Sequence, residues 1–189
     1  LLTFVNIPLL LGIAAVSAVF VPLVFGEKWQ PAVELIQVMA WIGVLRATMN
    51  PVGSLLLAKG KADLSFRWNV GMAVFLLSAI YLGITVGGLY GVPLALLVFY
   101  CIVFFVAYFV LVRPIIGKGF TAYVKNILPN FFIAIVMAAS VYFVPMLFAE
   151  KTYLVLAAQV ISGAGGYLLM TLIFQRKLLQ EVVQMIRNK

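Results

Sequence analysis

Residues 92–112 read VPLALLVFYCIVFFVAYFVLV, twenty-one residues without a charged side chain. An α-helix rises about 1.5 Å per residue, so a helix of this length is about 30 Å long and matches the hydrocarbon core of a bilayer. The apolar residues do not alternate with polar ones as they do in a barrel strand. Backbone groups in lipid must also be paired within the segment. The stretch therefore predicts a membrane-spanning helix.

Five further apolar segments of similar length lie on either side of this one. Across the chain, 66% of the residues are hydrophobic and 10% are charged, whereas a soluble domain has about 45–50% and about 25%. The predicted fold is all-α and transmembrane, a six-helix bundle over residues 1–174 followed by a cytoplasmic tail over 175–189. The predicted helices are Leu2–Phe25, Leu35–Ala58, Trp68–Val86, Val92–Val112, Leu128–Phe148 and Tyr153–Phe174.

The basic residues are distributed unevenly between the two sides that these helices define. The loops after the second and fourth helices, together with the tail, carry ten of the 13 Lys and Arg, whereas the other loops carry two. Cytoplasmic loops of membrane proteins are enriched in Lys and Arg, so the basic loops and the C-terminus are predicted to be cytoplasmic. The ten are Lys59, Lys61, Arg67, Arg113, Lys118, Lys125, Arg176, Lys177, Arg187 and Lys189, and the two are Lys28 and Lys151.

The residue inventory excludes several kinds of chemistry in this chain. There is no histidine, Cys101 is the single cysteine, and no Asp or Glu lies inside a predicted helix. We therefore predict no catalytic residue, no metal site, no cofactor and no enzymatic activity. The net charge of +8 does not predict a nucleic-acid partner, because the basic residues lie in the gaps between apolar segments and do not form one patch.

Arg46 is the one charge deep inside a predicted helix. Placing an arginine at a helix centre costs about 2.5–3.5 kcal/mol on insertion scales, so a cavity, a partner or an anionic ligand must offset it. Helical spacing places small and polar residues on the same face, and Pro51 can kink the helix nearby. The predicted cavity residues are Gly43, Arg46, Asn50, Gly53 and Ser54. The alternative is that Arg46 hydrogen-bonds backbone carbonyls of a neighbouring helix.

Three stretches resemble one known family. They are VPLVFGEKW at 21–29, GVLR at 43–46 followed by NPVGSLL at 50–56, and AK at 58–59 followed by DLSF at 63–66 and Asn69. This pattern is similar to that of Wzx-type polysaccharide flippases, members of a superfamily of MATE-like exporters, with the colanic-acid exporters as the nearest branch. The similarity is specific from about residue 19 to residue 70, and RPIIG at 113–117 extends it.

The resemblance implies two helical lobes around a central cavity, with both termini cytoplasmic. It implies transport of an undecaprenyl-pyrophosphate-linked oligosaccharide across the bacterial inner membrane, for colanic-acid-like or O-antigen-like polysaccharide synthesis. Because family members are much longer and this chain opens Leu1-Leu2 without a Met, we expect it to be a C-terminal fragment. Its expected partners are the lipid-linked oligosaccharide, membrane lipids and the missing N-terminal lobe. Arg46 would then contact the anionic head group or acidic sugars.

Three other functions remain open on the sequence alone. A drug or cation antiporter of the same superfamily would need an intramembrane acid, which the missing lobe would have to supply. A membrane-embedded glycosyl- or acyltransferase would need His, Asp or Glu clustered at one interface. A non-enzymatic scaffold subunit would leave Arg46 without a purpose.

Overall fold

A computed structural model describes residues 2–113, 120–148 and 153–174. Throughout these ranges the regular structure is helical, which confirms the predicted all-α class. The main helices are α1 (Leu2–Phe25), α2 (Pro31–Ala58), α3 (Ala62–Ala107), α4 (Phe120–Phe143) and α5 (Tyr153–Phe174). Short 3₁₀ helices cover Glu27–Trp29 and Val144–Leu147, and a π-helical turn at Tyr108–Val112 continues α3. The predicted tail at 175–189 lies outside the described residues.

Five helical stretches among the described residues are long and apolar enough to cross a membrane. Four of them contain 20 to 28 residues, but the third, Ala62–Val112, contains 51. This stretch covers two segments that the sequence analysis treated as separate helices. The helical assignment is continuous across the two segments because only one residue between them leaves the helical conformation.

That residue is Gly88, with φ 57° and ψ −138°, a combination that only glycine adopts readily. The chain reverses there, and the two arms of α3, residues 62–87 and 89–107, lie side by side. A Cβ atom added at Gly83 would lie 2.8 Å from Cα of Val92 and 3.1 Å from Cβ of Ala95. In a straight helix, Gly83 and Val92 would be about 13 Å apart, so α3 is a helical hairpin.

The described chain separates into two compact units. Unit 1 combines nearly all of α1 and the first turns of α2 with α5 and the part of α4 from Leu128 onward. Unit 2 comprises the rest of α2, all of α3 and residues 120–127 of α4. In unit 2, one buried cluster joins the end of α2 to the π-helical turn. The cluster consists of Val52, Leu56, Ala107, Tyr108, Leu111 and Val112, with Met49, Leu64 and Trp68 packed against it.

In unit 1, α1 turns one apolar face inward. Four of its buried residues recur every four positions and lie on one helical stripe. The stripe consists of Ile7, Leu11, Ala15 and Val19. The hydroxyl of Tyr167 on α5 donates a hydrogen bond to the carbonyl of Phe4, 2.6 Å away. Gly163 allows α5 to approach α4 closely, since a Cβ there would lie 2.8 Å from Cγ2 of Val141.

Large apolar side chains also cover the outer faces of both units. Phe75 and Leu77 are each 67% exposed, and Leu154 is 75% exposed. In water such surfaces would drive aggregation, whereas in lipid they are in contact with a solvent of their own polarity. The arrangement is that of helices whose polar backbone is satisfied internally and whose outer side chains face acyl chains.

Candidate functional site

A cavity of about 400 Å³, lined by both polar and apolar residues, lies within unit 2. One of its walls is the face of α2 that carries Arg46, Met49, Gly53 and Leu56. These residues follow one another at three- and four-residue spacing, which keeps them on one side of the helix. The side chain of Arg46 is solvent-accessible, and no Cβ added at Gly53 would meet another atom within 4 Å. This wall is therefore open in front of the cation.

The first arm of α3 forms the facing wall with a second helical stripe. Trp68 is half-buried: it packs against the core cluster of unit 2 and also lines the cavity. Asn69 lies next to it and donates a hydrogen bond from Nδ2 to the carbonyl oxygen of Ser65, 2.9 Å away. The complete lining from this arm is Ser65, Trp68, Asn69, Met72, Ala73 and Leu76.

Tyr100, from the second arm of α3, holds the arginine in place. Tyr100 is 92% buried, and the centroid of its ring lies 5.6 Å from Cζ of Arg46. A guanidinium within about 6 Å of a ring centroid is attracted by the ring quadrupole, by about 0.5–1 kcal/mol when exposed and about 2 kcal/mol when desolvated. The buried ring thus favours a position of the Arg46 guanidinium at the cavity wall.

The cavity leaves the charge of Arg46 unneutralised by the rest of the described chain. Arg46 is the one charged residue among the described residues that line it, and the ion pair found within the described ranges joins Arg67 to Asp63 elsewhere. No side-chain hydrogen bond from Arg46 to a carbonyl occurs among the residues that can be described. A cation held in this way is poised to bind an anion that enters the cavity, because charge-assisted hydrogen bonds strengthen away from bulk water.

The structure brings together some of the predicted cavity residues. Arg46 and Gly53 line the cavity. Gly43 is half-buried and Ser54 is exposed, and neither is part of the described lining. The side chain of Asn50 lies outside the described residues, as does that of Pro51. The five-residue cavity therefore stays a prediction. Of its members, Arg46 and Gly53 line the same cavity in the structure.

Sequence reasoning missed the other polar and aromatic members of this cavity. Trp68 could be read as a packing or interface residue, and Tyr100 has no distinguishing feature within an aromatic-rich segment. The signal that could have identified the facing wall is the spacing of Ser65, Trp68, Asn69 and Met72 in a helix otherwise rich in apolar residues. Tyr100 could not have been found this way, because its position beside Arg46 depends on the reversal at Gly88.

A second cavity, of about 700 Å³, lies within unit 1 and differs in character. It runs along α1 and α5, and its walls are almost entirely apolar. The polar side chains that line it are Ser17, Gln159 and Tyr167, of which Ser17 and Tyr167 donate to backbone carbonyls. No charged residue is among its described lining residues, so this surface suits acyl chains or helices and does not suit an anion.

Three curated proteins are similar to the chain. The lipopolysaccharide biosynthesis protein WzxC of Escherichia coli K12 is 38% identical over 131 residues, which are 69% of this chain and 27% of that protein. The teichuronic acid biosynthesis protein TuaB of Bacillus subtilis 168 is 34% identical over 171 residues, 89% of this chain and 35% of TuaB. An uncharacterised membrane protein of the Klebsiella pneumoniae cps region is 30% identical over 192 residues, 99% of this chain and 39% of that protein.

The chain thus spans between about a quarter and two fifths of the length of these relatives. No family model matches the chain, and no solved structure matches it.

Proposed function

Since the chain belongs to the Wzx-type family of polysaccharide flippases, we propose that its protein moves a lipid-linked oligosaccharide across the bacterial inner membrane. The proposed substrate is an undecaprenyl-pyrophosphate-linked repeat unit, used for a surface polysaccharide of the colanic-acid or O-antigen kind. The relatives named for lipopolysaccharide and teichuronic acid biosynthesis support an export role of this class. The chain would form one part of a two-lobe exporter, whose other lobe completes the pathway.

One observation carries the proposal: a guanidinium lines a partly polar cavity inside an otherwise apolar helical unit. A pyrophosphate and a chain of sugar hydroxyls cannot enter hydrocarbon without losing their hydration at high cost. A protein that moves them must offer polar partners within the membrane. The planar fork of arginine binds phosphate or carboxylate oxygens in pairs, so Arg46 is the proposed contact for the negative charge of the substrate.

The proposed topology has six crossings. Each arm of the α3 hairpin is long enough to span the bilayer. The first arm covers residues 62–87 and extends about 39 Å, and the second, with the π-helical turn to Val112, extends more than about 30 Å. With six crossings, the ten basic residues counted above fall on one side, which the positive-inside rule assigns to the cytoplasm. The Gly88 reversal would then lie on the periplasmic side, and the C-terminus in the cytoplasm.

The test is export of surface polysaccharide in a flippase-deletion strain that carries the full-length protein with Arg46→Ala or Arg46→Lys. We expect Ala to abolish export at normal membrane abundance and Lys to restore part of it, because lysine keeps the charge but loses the paired hydrogen bonds. Arg67→Ala is the matched control, since this arginine is exposed and paired with Asp63 outside the cavity. Normal export by Arg46→Ala would contradict the proposal, and failure of the wild type in strains with different repeat units would place the substrate in another class.

A further inference from the structure

The wall that faces Arg46 combines an aromatic ring with an amide. The indole of Trp68 is held on one side by the core cluster of unit 2, and its remaining surface borders the cavity. Asn69 is on the adjoining position of the same face, with one N–H bonded to the carbonyl of Ser65. An amide has two N–H donors and a carbonyl acceptor, so its second N–H and its Oδ1 are available to a ligand in the cavity.

These groups match the surface of a sugar ring better than that of a phosphate. A pyranose presents C–H bonds on its faces and hydroxyls around its edge, so it can cover an aromatic face while its hydroxyls bond to an amide. A pyrophosphate has no apolar face to lay on the indole and no hydrogen-bond donor when ionised, so it could use only the N–H groups of Trp68 and Asn69. With a single cation in the described lining, the cavity is equipped for one negative charge beside an uncharged ring.

We propose that Trp68 and Asn69 form a subsite for one pyranose ring, which stacks on the indole and hydrogen-bonds to the amide while its neighbouring anionic group lies on Arg46. This inference rests on the proposed function and adds the part of the substrate that the cavity recognises. The volume of about 400 Å³ is at the lower end of the range of about 300–1,000 Å³ for small-molecule sites. The cavity therefore accommodates one ring and its substituents, with the rest of the oligosaccharide outside it.

The experiment compares Trp68→Tyr, Trp68→Leu and Asn69→Leu in the full-length protein, in a strain where the wild type restores export. Tyrosine keeps an aromatic face, so we expect export close to that of the wild type. At a membrane abundance equal to that of the wild type, each leucine variant is expected to export roughly tenfold less polysaccharide than the wild type. This corresponds to about 1.4 kcal/mol of lost binding free energy. Trp41→Leu is the matched control, because this tryptophan lies on α2 outside the described cavity lining.

Stability measurements on the purified variants separate binding from folding. Asn69 is exposed and its amide hydrogen-bonds within its own helix, so Asn69→Leu should unfold at the temperature of the wild type. If Trp68→Leu proves unstable, the export by Asn69→Leu alone tests the sugar subsite. Normal export by Asn69→Leu, or by a stable Trp68→Leu, overturns the sugar subsite.

The same assay distinguishes this failure from failure of the proposed function. If the leucine variants export normally while Arg46→Ala does not, the flippase proposal stands and the cavity recognises only the anion. If Arg46→Ala also exports normally, both proposals fail. If export of a repeat unit without acidic sugars still depends on Arg46, the anionic group on this residue is the pyrophosphate, and the ring on Trp68 is the first sugar of the chain.

Discussion

The amide Nε2 of Gln159 on α5 donates a hydrogen bond to the carbonyl oxygen of Val141 on α4, 3.0 Å away. In a continuous α-helix, that carbonyl would accept from the N–H four residues later. The residue at that position is Pro145, which has no N–H. Gln159, only 1% exposed, therefore supplies from a neighbouring helix the donor that the proline removes.

We expect Gln159→Leu to lower the free energy of unfolding of the full-length protein by about 1 kcal/mol, the usual net value of one such hydrogen bond. Leucine keeps the apolar volume but leaves the Val141 carbonyl without its donor. The measurement is thermal or denaturant unfolding in detergent, with Ile161→Leu, at a position 72% exposed on α5, as the control.

Adding Pro145→Ala distinguishes loss of the Gln159 hydrogen bond from a simple loss of packing. The alanine restores an N–H near the orphaned carbonyl, so Gln159→Leu should cost less in the Pro145→Ala background than in the wild type. Equal costs in the two backgrounds would show that the hydrogen bond does not compensate for the proline, because a double-mutant cycle reports the coupling between the two sites.

Gly83→Ala should destabilise the α3 hairpin. The added Cβ would lie 2.8 Å from Cα of Val92 and 2.9 Å from the carbonyl oxygen of Gly91, and backbone atoms cannot move aside as a flexible side chain can. Overpacking of this kind typically costs about 1–3 kcal/mol. The matched control is Gly87→Ala in the same arm, where a Cβ would meet nothing within 4 Å. Similar unfolding temperatures for the two variants would show that the arms are not in close contact.

Gly53→Leu should block the cavity without disturbing the packing of α2. An added side chain at Gly53 would project into open space on the wall that also carries Arg46. We expect export to fall at least about tenfold, the effect of about 1.4 kcal/mol, while the unfolding temperature is unchanged. Gly71→Leu, on α3 and equally free of neighbours within 4 Å, should export normally. Wild-type export by Gly53→Leu would argue that the substrate does not enter this cavity.

Single cysteines introduced at three turns test the six-crossing topology. In a full-length protein whose other cysteines, including Cys101, have been replaced, we expect Lys28→Cys and Leu89→Cys to react with a membrane-impermeant maleimide in intact cells. Lys61→Cys should react only after the inner membrane is opened, because the positive-inside rule assigns its loop to the cytoplasm. Reaction of Lys61→Cys and Leu89→Cys from the same side would mean that the first arm of α3 does not cross the membrane.

The helical class and the membrane environment could be predicted because they depend on the local sequence. Long uncharged runs such as residues 92–112 have few stable alternatives in lipid, where each backbone group must be paired within its own segment. The count of separate helices was harder to predict. The turn at Gly87-Gly88 contains one residue outside the helical conformation, and its tightness depends on the contact of Gly83 with Val92, which no local pattern encodes.

From the sequence, the candidate site could be predicted only where it contains a charged residue or a residue at helical spacing from one. Arg46 was identified because an arginine within an apolar helix has a large energetic cost, and Gly53 followed from helical spacing. Tyr100 is 54 positions away in the sequence, and nothing in its segment distinguishes it from Phe99 or Phe104. Long-range pairings of this kind depend on how helices pack, whereas the spacing of residues along one helix is fixed by its geometry.

The α3 hairpin also affects how the protein is made. Its connecting turn, residues 87–91, contains glycines, a leucine and a tyrosine but no charge, so carrying this turn across the bilayer does not require an ion to leave water. The close contact between the arms at Gly83 can form as soon as both have left the ribosome. In the proposed topology, the two arms can therefore enter the membrane together as a preassembled pair, and the contributions of Trp68 and Tyr100 to the cavity would be in place before the later helices are synthesised.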